Sequence, residues 1–331
     1  MFIGVLELFK IGIGPSSSHT MGPMFAAHRF RESLQSYCSA AGDPAGCTVR
    51  CTLKGSLAFT GQGHNTDRAV ALGLHGYLPD ALVGKDVDAL VRDLWRGSVI
   101  ELQAGCETAF CPADDIVFDR GEPLPQHPTG MIFELVDNAG TARLSMTLFS
   151  IGGGFLSTPQ EIGGLVAPLQ MASGAGCAYG FDSADAMLAM ARDSGLSIAQ
   201  MKRVNERQQI GEAELDRGLD AIWDAMRRCV EQGLSGSGQL PGGLDLERRA
   251  GRLHAQMLES PGEADTNDWL CAYAMAVNEQ NAAGAMVVTA PTNGAAGVIP
   301  AVLYYLHKHR AVSQTQVRDF LLTASAIGGI I

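Results

Sequence analysis

The spacing of apolar and polar residues predicts a mixed α/β first part of the chain. Residues 47–53 alternate apolar side chains with Thr48, Arg50 and Thr52, the pattern of a strand with one face in solvent. The same criterion predicts strands at 116–118, 131–136 and 143–151, the last two joined by an Asp-Asn-Ala-Gly hairpin turn, and helices starting near Pro23, starting at 66 or 67, and over 87–95. We therefore predict an α+β fold in which an N-terminal α/β sandwich has its sheet on one side and its helices on the other.

Beyond residue 155 the strand pattern stops and helical spacing takes over. Gly152-Gly153-Gly154 lies at this change and predicts a hinge. Helices are predicted at 159–172, 183–194, 197–208, 212–232, 246–258, 266–282, 294–307 and 313–326. The chain is thus predicted to form two domains, residues 1–155 and an all-α domain of residues 156–331. That second domain is expected to be incomplete at its C-terminus, because the sequence stops inside an apolar run.

Composition and charge limit the kinds of partner that the protein is expected to bind. A net charge of −11 argues against binding to nucleic acid or to an anionic membrane. Residues 280–306 carry no charge, but Pro291-Thr292-Asn293-Gly294 interrupts them, so we expect two helices and no membrane span. Only 18% of residues are charged, which predicts much buried surface and favours a homodimer.

Cysteine usage points to a reducing compartment. The chain has eight cysteines and its first residues lack a signal-peptide pattern, so a cytoplasmic protein is expected. No CxxC pair occurs, and most of the cysteines are interpreted as small apolar core residues.

The strongest candidate for chemistry is the loop Gly12–Pro23, in which Ser16, Ser17, Ser18, His19 and Thr20 directly precede a helix. A helix start presents unpaired backbone N–H groups and a positive dipole end, and therefore suits a carboxylate or phosphate. Hydroxyls at such a place either cap the helix or bind the anion. Both interpretations remain open for this loop.

Three further segments combine glycine with a histidine or asparagine at the start of an element. His64 lies among glycines before a helix, and a histidine can exchange protons near neutral pH, although a structural role is the alternative. His127 and Thr129 form a polar turn that could bind substrate or be only a turn. Asn293 and Gly294 lie at the break between two apolar helices, where buried polar groups need partners. No GxSxG, GxGxxG or Walker motif occurs.

Together these motifs resemble the iron–sulfur-dependent L-serine dehydratases in the form that joins a β-domain to an α-domain. The matching segments are IGIGPSSSHTMGP, GQGHNTD, HPTGM, SIGGGF, LPGGL and NEQNAAGAMVVTAPTNGAAGVIPAVL. The resemblance implies conversion of L-serine to pyruvate and ammonia, with a [4Fe-4S] cluster acting as Lewis acid on the β-hydroxyl. It implies that His64 takes the α-proton and that His127 binds or orients substrate. By the same resemblance the pocket is lined by Ser16, Ser17, Ser18, His19, Thr20, Thr129, Asn293 and Gly294.

Two departures from the family pattern define an alternative. Thr129 stands where the family usually has Asn, and none of the eight cysteines matches the family's cluster ligands, which we expect beyond residue 331. These 331 residues alone are therefore expected to be inactive. No lysine lies in a pattern typical of pyridoxal phosphate, so that cofactor is not expected. The β-domain also resembles the allosteric substrate-binding domain of some phosphoglycerate dehydrogenases, so a non-catalytic module that binds serine or another small anion is the alternative function.

Overall fold

The structure is a computed structural model that describes residues 3–41, 44, 46–82, 85–103, 105–163, 177–241, 244–260 and 262–330. It divides into two compact units. The sheet unit is Gly12–Gly164, and the helical unit combines Met1–Ile11 with Leu165–Ile331.

Strands and helices alternate in the sheet unit, whereas helices dominate the other. The strands are β1 (Lys10–Ile13), β2 (Cys47–Lys54), β3 (Val99–Gln103), β4 (Cys106–Ala109), β5 (Ile116–Asp119), β6 (Gly130–Asp137), β7 (Ala142–Ser150), β8 (Leu156–Ser157) and β9 (Met286–Thr289). The α-helices are α1 (Val5–Leu8), α2 (Gly22–Ala41), α3 (Ser56–Thr60), α4 (Thr66–Leu74), α5 (Val87–Leu94), α6 (Pro112–Asp115), α7 (Pro159–Ile162), α8 (Ala184–Ser194), α9 (Ile198–Ile210), α10 (Glu212–Ser235), α11 (Ala250–Glu259), α12 (Thr266–Ala282), α13 (Val298–Arg310) and α14 (Gln314–Gly328). The α+β fold class is confirmed.

The sheet unit is built on β2 and the β6–β7 hairpin. The strand order is β3-β4-β2-β6-β7-β8, with β5 also paired to β2. β2 and β6 run antiparallel, as do β6 and β7, whereas β2 and β5 run parallel. Helix α2 packs on β6 and β7, and its Phe30 ring stacks on Phe133 of β6 at 5.4 Å between centroids. Both side chains are fully buried, and burial of each contributes about 1.5–3 kcal/mol.

The glycine run does not act as the predicted hinge. Gly152, Gly153 and Gly154 all have positive φ and lie in the turn between β7 and β8, closed by a bond from the Phe155 amide to the Gly152 carbonyl. Three successive residues with positive φ require glycine, so the turn rather than domain mobility accounts for them. The edge strand β3 and its neighbour β4 were not predicted.

The core of the helical unit forms around α10. Its apolar stripe, which includes Leu219, Met226 and Val230, is fully buried, as its helical spacing predicted. Helices α12 and α13 and strand β9 pack against it. The start of the chain joins this core: the Val5 amide donates to Glu206 Oε1 at 2.6 Å, and Val5 is fully buried.

The first eleven residues therefore lie in a different unit from the one that the predicted boundary at residues 155 and 156 gave them. Leu8 and Phe9 are 5% and 2% exposed because they pack in the helical core. That boundary assigned them by position in the sequence, and the apolar contacts that bind them come from residues far along the chain.

Three details of the helical part were wrong. The helix predicted at 246–258 is α11 and begins at Ala250. Residues 286–289 form a strand, β9, which pairs with β1, because Val287 and Val288 lie in a β-branched run. Helix α13 begins at Val298, since the residues from Gly294 form a turn. The helix predicted at 159–172 is α7 at its start, and residues 164–172 lie outside the described residues. Within the described ranges no helix is long and apolar enough to cross a membrane.

One cysteine pair was not predicted. Cys38 of α2 and Cys106 of β4 form a disulfide, with Cα atoms 6.9 Å apart and 68 positions between them in sequence. Such a separation leaves no local sequence signal. Cys51 and Cys229 are buried thiols, as interpreted from sequence, whereas Cys271 is exposed.

Candidate functional site

The serine-rich loop forms a π-helical turn, Ser17–Met21, that runs directly into α2. Ser16 caps this turn: its Oγ accepts from the His19 amide at 3.2 Å, and its carbonyl accepts from the Thr20 amide at 3.0 Å. The capping interpretation therefore holds for Ser16. The Ser18 and Thr20 hydroxyls of the turn have other partners.

Two buried threonines tie this turn to the loop that carries His64. Thr20 Oγ1 donates to the His64 carbonyl at 2.7 Å, and Thr66 Oγ1 donates to the His19 carbonyl at 2.5 Å. Both threonines are at most 1% exposed. As a result the His19 and His64 rings lie side by side, with centroids 4.9 Å apart.

The local backbone fixes which His64 nitrogen carries a proton. His64 Nδ1 lies 2.8 Å from the Thr60 carbonyl, which can only accept, so Nδ1 carries a proton and the neutral form of the ring has its lone pair on Nε2. Asn65 follows with φ 55°, a left-handed conformation that asparagine tolerates better than most residues. Gly61 is required because an added Cβ would lie 3.0 Å from Phe118 Cε1 and from Thr66 Oγ1. These constraints account for Gly61, His64 and Asn65 of the Gly-x-Gly-His-Asn pattern, whereas an added Cβ at Gly63 would meet no described residue within 4 Å.

His19 is held at both nitrogens by hydroxyls. Nδ1 lies 2.9 Å from Ser18 Oγ, and Nε2 lies 3.0 Å from Ser56 Oγ. Burial, together with the neighbouring His64, lowers the pKa of His19, so the ring is neutral at pH 7. Ser56 was not predicted as a site residue, because a single serine after a strand carries no motif.

Ser56 also connects to the His127 loop. Its amide donates to the Pro128 carbonyl at 2.7 Å, and Gly55 adopts φ 57° with a hypothetical Cβ only 3.0 Å from the Pro128 carbonyl carbon. Gly55, a glycine directly after a strand, is the one sequence signal for this contact. All three sequence-predicted loops of the sheet unit are thus connected by hydrogen bonds.

His127 is held through Thr129. His127 Nδ1 lies 2.7 Å from Thr129 Oγ1, and Thr129 Oγ1 donates to the Ser150 carbonyl at 2.5 Å. Burial lowers the pKa of His127. Ser150, which acts through its backbone, was not predicted.

The hydroxyls of the first loop divide into two groups. Thr20 and Ser16 are used within the protein, whereas no protein hydrogen bond engages the Ser17 hydroxyl in the parts of the chain described here. Ser17 is 6% exposed and lies at the start of the π-helical turn. Its hydroxyl and the helix start can bind an anionic group of a small molecule.

The remaining two predicted residues belong to the helical unit. Asn293 is 3% exposed, and its Nδ2 donates to Asn281 Oδ1 at 3.0 Å. Gly294 follows in the turn before α13, and an added Cβ there would meet no atom within 4 Å. The break between α12 and α13 therefore holds buried amides, as the sequence predicted.

The cysteines present do not fit an iron–sulfur cluster. Among the described residues no group of three or more His, Cys, Asp or Glu side chains is placed to hold a metal ion. Burial raises the pKa of the Cys229 thiol to about 12 and raises that of Cys51 as well, which disfavours the thiolate that a cluster needs.

Comparisons with known proteins agree with the motifs. Residues 4–161 match the family model "Serine dehydratase beta chain", and residues 193–331 match "Serine dehydratase alpha chain". An L-serine dehydratase of Streptomyces coelicolor is 44% identical over 331 residues, covering 99% of this chain and 71% of that protein. L-serine dehydratase TdcG of Escherichia coli is 37% identical, with 99% and 71% covered, and a Helicobacter pylori L-serine dehydratase is 36% identical, with 98% and 70% covered. The chain therefore belongs to the serine dehydratase family whose members contain a β-chain and an α-chain region.

Proposed function

We propose that this protein is a lyase that converts L-serine to pyruvate and ammonia. The observation that carries the proposal is the His64 imidazole, whose Nδ1 donates to the Thr60 carbonyl, so that its neutral form has the lone pair on Nε2. Its ring lies 4.9 Å, centroid to centroid, from that of His19 in the hydroxyl-rich turn before α2. A neutral imidazole with a bare nitrogen is suited to accept a proton. The names of the relatives supply the substrate.

In the proposed reaction the substrate carboxylate binds at the π-helical turn, where the Ser17 hydroxyl and the backbone amides donate to it. His64 Nε2 removes the α-proton, and the β-hydroxyl leaves as water after it is protonated or bound by an acid. The resulting enamine tautomerises to an imine, which water hydrolyses to pyruvate and ammonia. His127 binds or orients the substrate. His19, neutral because its pKa is lowered, contributes hydrogen bonds without adding charge.

We make separate proposals for the part of the helical unit in substrate binding and for the cofactor. Asn293 and Gly294 are proposed to bind substrate through amide and backbone groups. The [4Fe-4S] cluster that the family resemblance implies would supply the acid for the β-hydroxyl when bound. Because the described cysteines do not fit it, we derive no step through the cluster and place its ligands outside the described residues.

The proposal is tested with a His64→Gln variant, matched by His28→Gln, a histidine on α2 outside the site. Each protein is incubated anaerobically with iron and sulfide, alone and extended by the downstream residues of its relatives, and assayed for pyruvate from L-serine. Loss of the general base is expected to reduce the rate about 10²–10⁴-fold, and the control is expected to keep it. Full activity in His64→Gln would contradict the assigned base.

The same preparations test the alternative function and the oligomeric state. L-serine binding by calorimetry without pyruvate from either chain length would favour the non-catalytic serine-binding module. Sedimentation of the protein tests the homodimer that we propose from the low charged fraction.

A further inference from the structure

Three polar contacts of Thr129, one with the Ser150 carbonyl and two with His127 Nδ1, compete for very few protons. Its Oγ1 lies 2.5 Å from the Ser150 carbonyl and 2.7 Å from His127 Nδ1, and its amide nitrogen lies 3.3 Å from the same Nδ1. Thr129 is 6% and Ser150 1% exposed, so water is nearly excluded. The positions of the protons must therefore be settled among these groups themselves.

The shortest contact decides which atom donates in each of these hydrogen bonds. The Ser150 carbonyl has no proton, so a 2.5 Å contact with it requires that the Thr129 hydroxyl donates. The single hydroxyl proton is then used, and the 2.7 Å contact to His127 requires a proton on Nδ1. The opposite direction would leave two oxygen lone pairs facing each other at 2.5 Å. The Thr129 amide also directs its N–H at Nδ1, which would require a lone pair there. At 3.3 Å this contact is the longest of the three and lies beyond the usual hydrogen-bond range of about 2.7–3.2 Å, so we assign the Nδ1 proton from the two shorter contacts.

We propose that Thr129 is a positioning residue that holds His127 in the Nδ1–H tautomer and leaves the lone pair on Nε2. The role deepens the proposed function, because His127 is the histidine that it places against substrate. Both oxygen contacts of Thr129 are internal, so its hydroxyl supports the histidine instead of binding substrate. His64 reaches the same tautomer by a different partner, the Thr60 carbonyl. The site then presents two imidazoles with bare Nε2 atoms.

The Ser150 carbonyl is a fixed acceptor. The Ser150 amide donates to the Thr129 carbonyl at 3.2 Å, so the two residues are bonded in both directions. Asparagine, the usual residue of the family motif at this position, also offers a side-chain oxygen that can accept from Nδ1–H. The Thr129 hydroxyl oxygen likewise accepts from Nδ1–H, because its own proton is donated to the Ser150 carbonyl.

The test is the tautomer of His127 in the 331-residue protein labelled with ¹⁵N-histidine, read from long-range ¹H–¹⁵N spectra above the histidine titration range. His127→Gln assigns the signals. In the unmodified protein Nδ1 is expected at the shift of a protonated nitrogen and Nε2 at that of an unprotonated one. Thr129→Val should lose this pattern and give a mixture or the Nε2–H form, whereas Thr129→Ser and Thr129→Asn should keep it. Thr147→Val, in neighbouring β7, is the control for loss of a threonine hydroxyl and should match the unmodified protein.

An Nε2–H signal in the unmodified protein, or an unchanged pattern in Thr129→Val, would overturn the assignment. If Thr129→Val does not fold by circular dichroism, the unmodified protein and Thr129→Ser still decide the question. The readout needs no turnover, so a failed serine assay with the predicted tautomer would refute the proposed function and leave the role of Thr129 standing.

Discussion

Replacing Gly22 with alanine is expected to destabilise the protein, although alanine is the better helix former. Gly22 begins α2 with φ −56° and ψ −51°, a conformation that alanine adopts without strain. Helix propensity alone therefore predicts a gain of up to about 1 kcal/mol. An added Cβ, however, would lie 2.7 Å from Ser150 Cβ and even closer to Ser150 Oγ. Carbon atoms in good contact lie about 3.5–4.0 Å apart, so one side must move.

Ser150 has little room to move. Its amide and its carbonyl are both bonded to Thr129, and it is 1% exposed at the end of β7. Overpacking of such a position costs about 1–3 kcal/mol. Because the added Cβ would lie only 2.7 Å from Ser150 Cβ, the cost should be in the upper part of this range, about 2–3 kcal/mol. After subtracting the propensity gain of about 1 kcal/mol, the free energy of unfolding should fall by about 1–2 kcal/mol, which corresponds to a decrease of about 2–8 °C in Tm for a unit of this size.

Urea titrations followed by circular dichroism measure this change. In the described structure the Ser150 hydroxyl has no hydrogen-bond partner, so Ser150→Gly removes the obstructing atoms without breaking a bond. The double variant Gly22→Ala/Ser150→Gly should recover most of the loss, and Gly97→Ala, where an added Cβ would meet only carbonyl oxygens at 3.4 Å or more among the described residues, should be nearly neutral. Our reasoning is refuted if Gly22→Ala is as stable as the unmodified protein or if Ser150→Gly does not rescue it.

Three other changes test separate interactions. Glu279→Ala removes the carboxylate that accepts from two backbone amides at the start of α11, at 2.6 and 3.2 Å. The free energy of unfolding, measured by urea titration, should fall by about 1–3 kcal/mol. Glu279→Gln should lose less, and equal losses in the two variants would contradict a capping role. Arg318→Lys loses a bidentate contact with Asp220, at 2.8 and 2.7 Å. The free energy of unfolding should fall by about 0.5–1 kcal/mol at low salt and by less at high salt. A loss that does not depend on salt would contradict the electrostatic role of this contact. Burial lowers the pKa of His19 below its unfolded value of about 6.5, so the unfolded state binds more protons and stability should fall as the pH drops below about 6.5. In His19→Gln the Tm should fall less steeply as the pH is lowered. An unchanged slope would refute the contribution of His19.

The periodicity of the chain was sufficient for the elements that have one apolar face. Helix α2 and strands β2, β6 and β7 occur where alternation or helical spacing predicted them, since each packs one face on the same core. Strand β3 and its neighbour β4 were missed because Glu101 and Glu107 interrupt their short apolar patterns, whereas the equally short β5 begins with Ile-Val-Phe and was predicted.

The site was predicted where side chains carry the chemistry and missed where the backbone does. Ser16–Thr20, His64 and His127 are recognisable because unusual residue types cluster on glycine loops. Ser150 contributes a carbonyl, which any residue has, and Ser56 becomes a partner of His19 only when the chain folds. Tautomers likewise follow from distances between partners far apart in sequence, and no motif encodes them.

The docking of the first residues into the helical unit makes the order of synthesis differ from the order of assembly. The Val5 amide bonds to Glu206, which is synthesised 201 residues later. At ribosomal rates of about 5–20 residues per second, this delay is about 10–40 s. During that time Val5, Leu8 and Phe9 have no apolar core to enter. A cut between the two family regions, which separates residues 4–161 from 193–331, would place this segment on the wrong piece. The helical piece would then lack α1, which packs against α14 and α10, and its core would be complete only when the other piece supplies that segment.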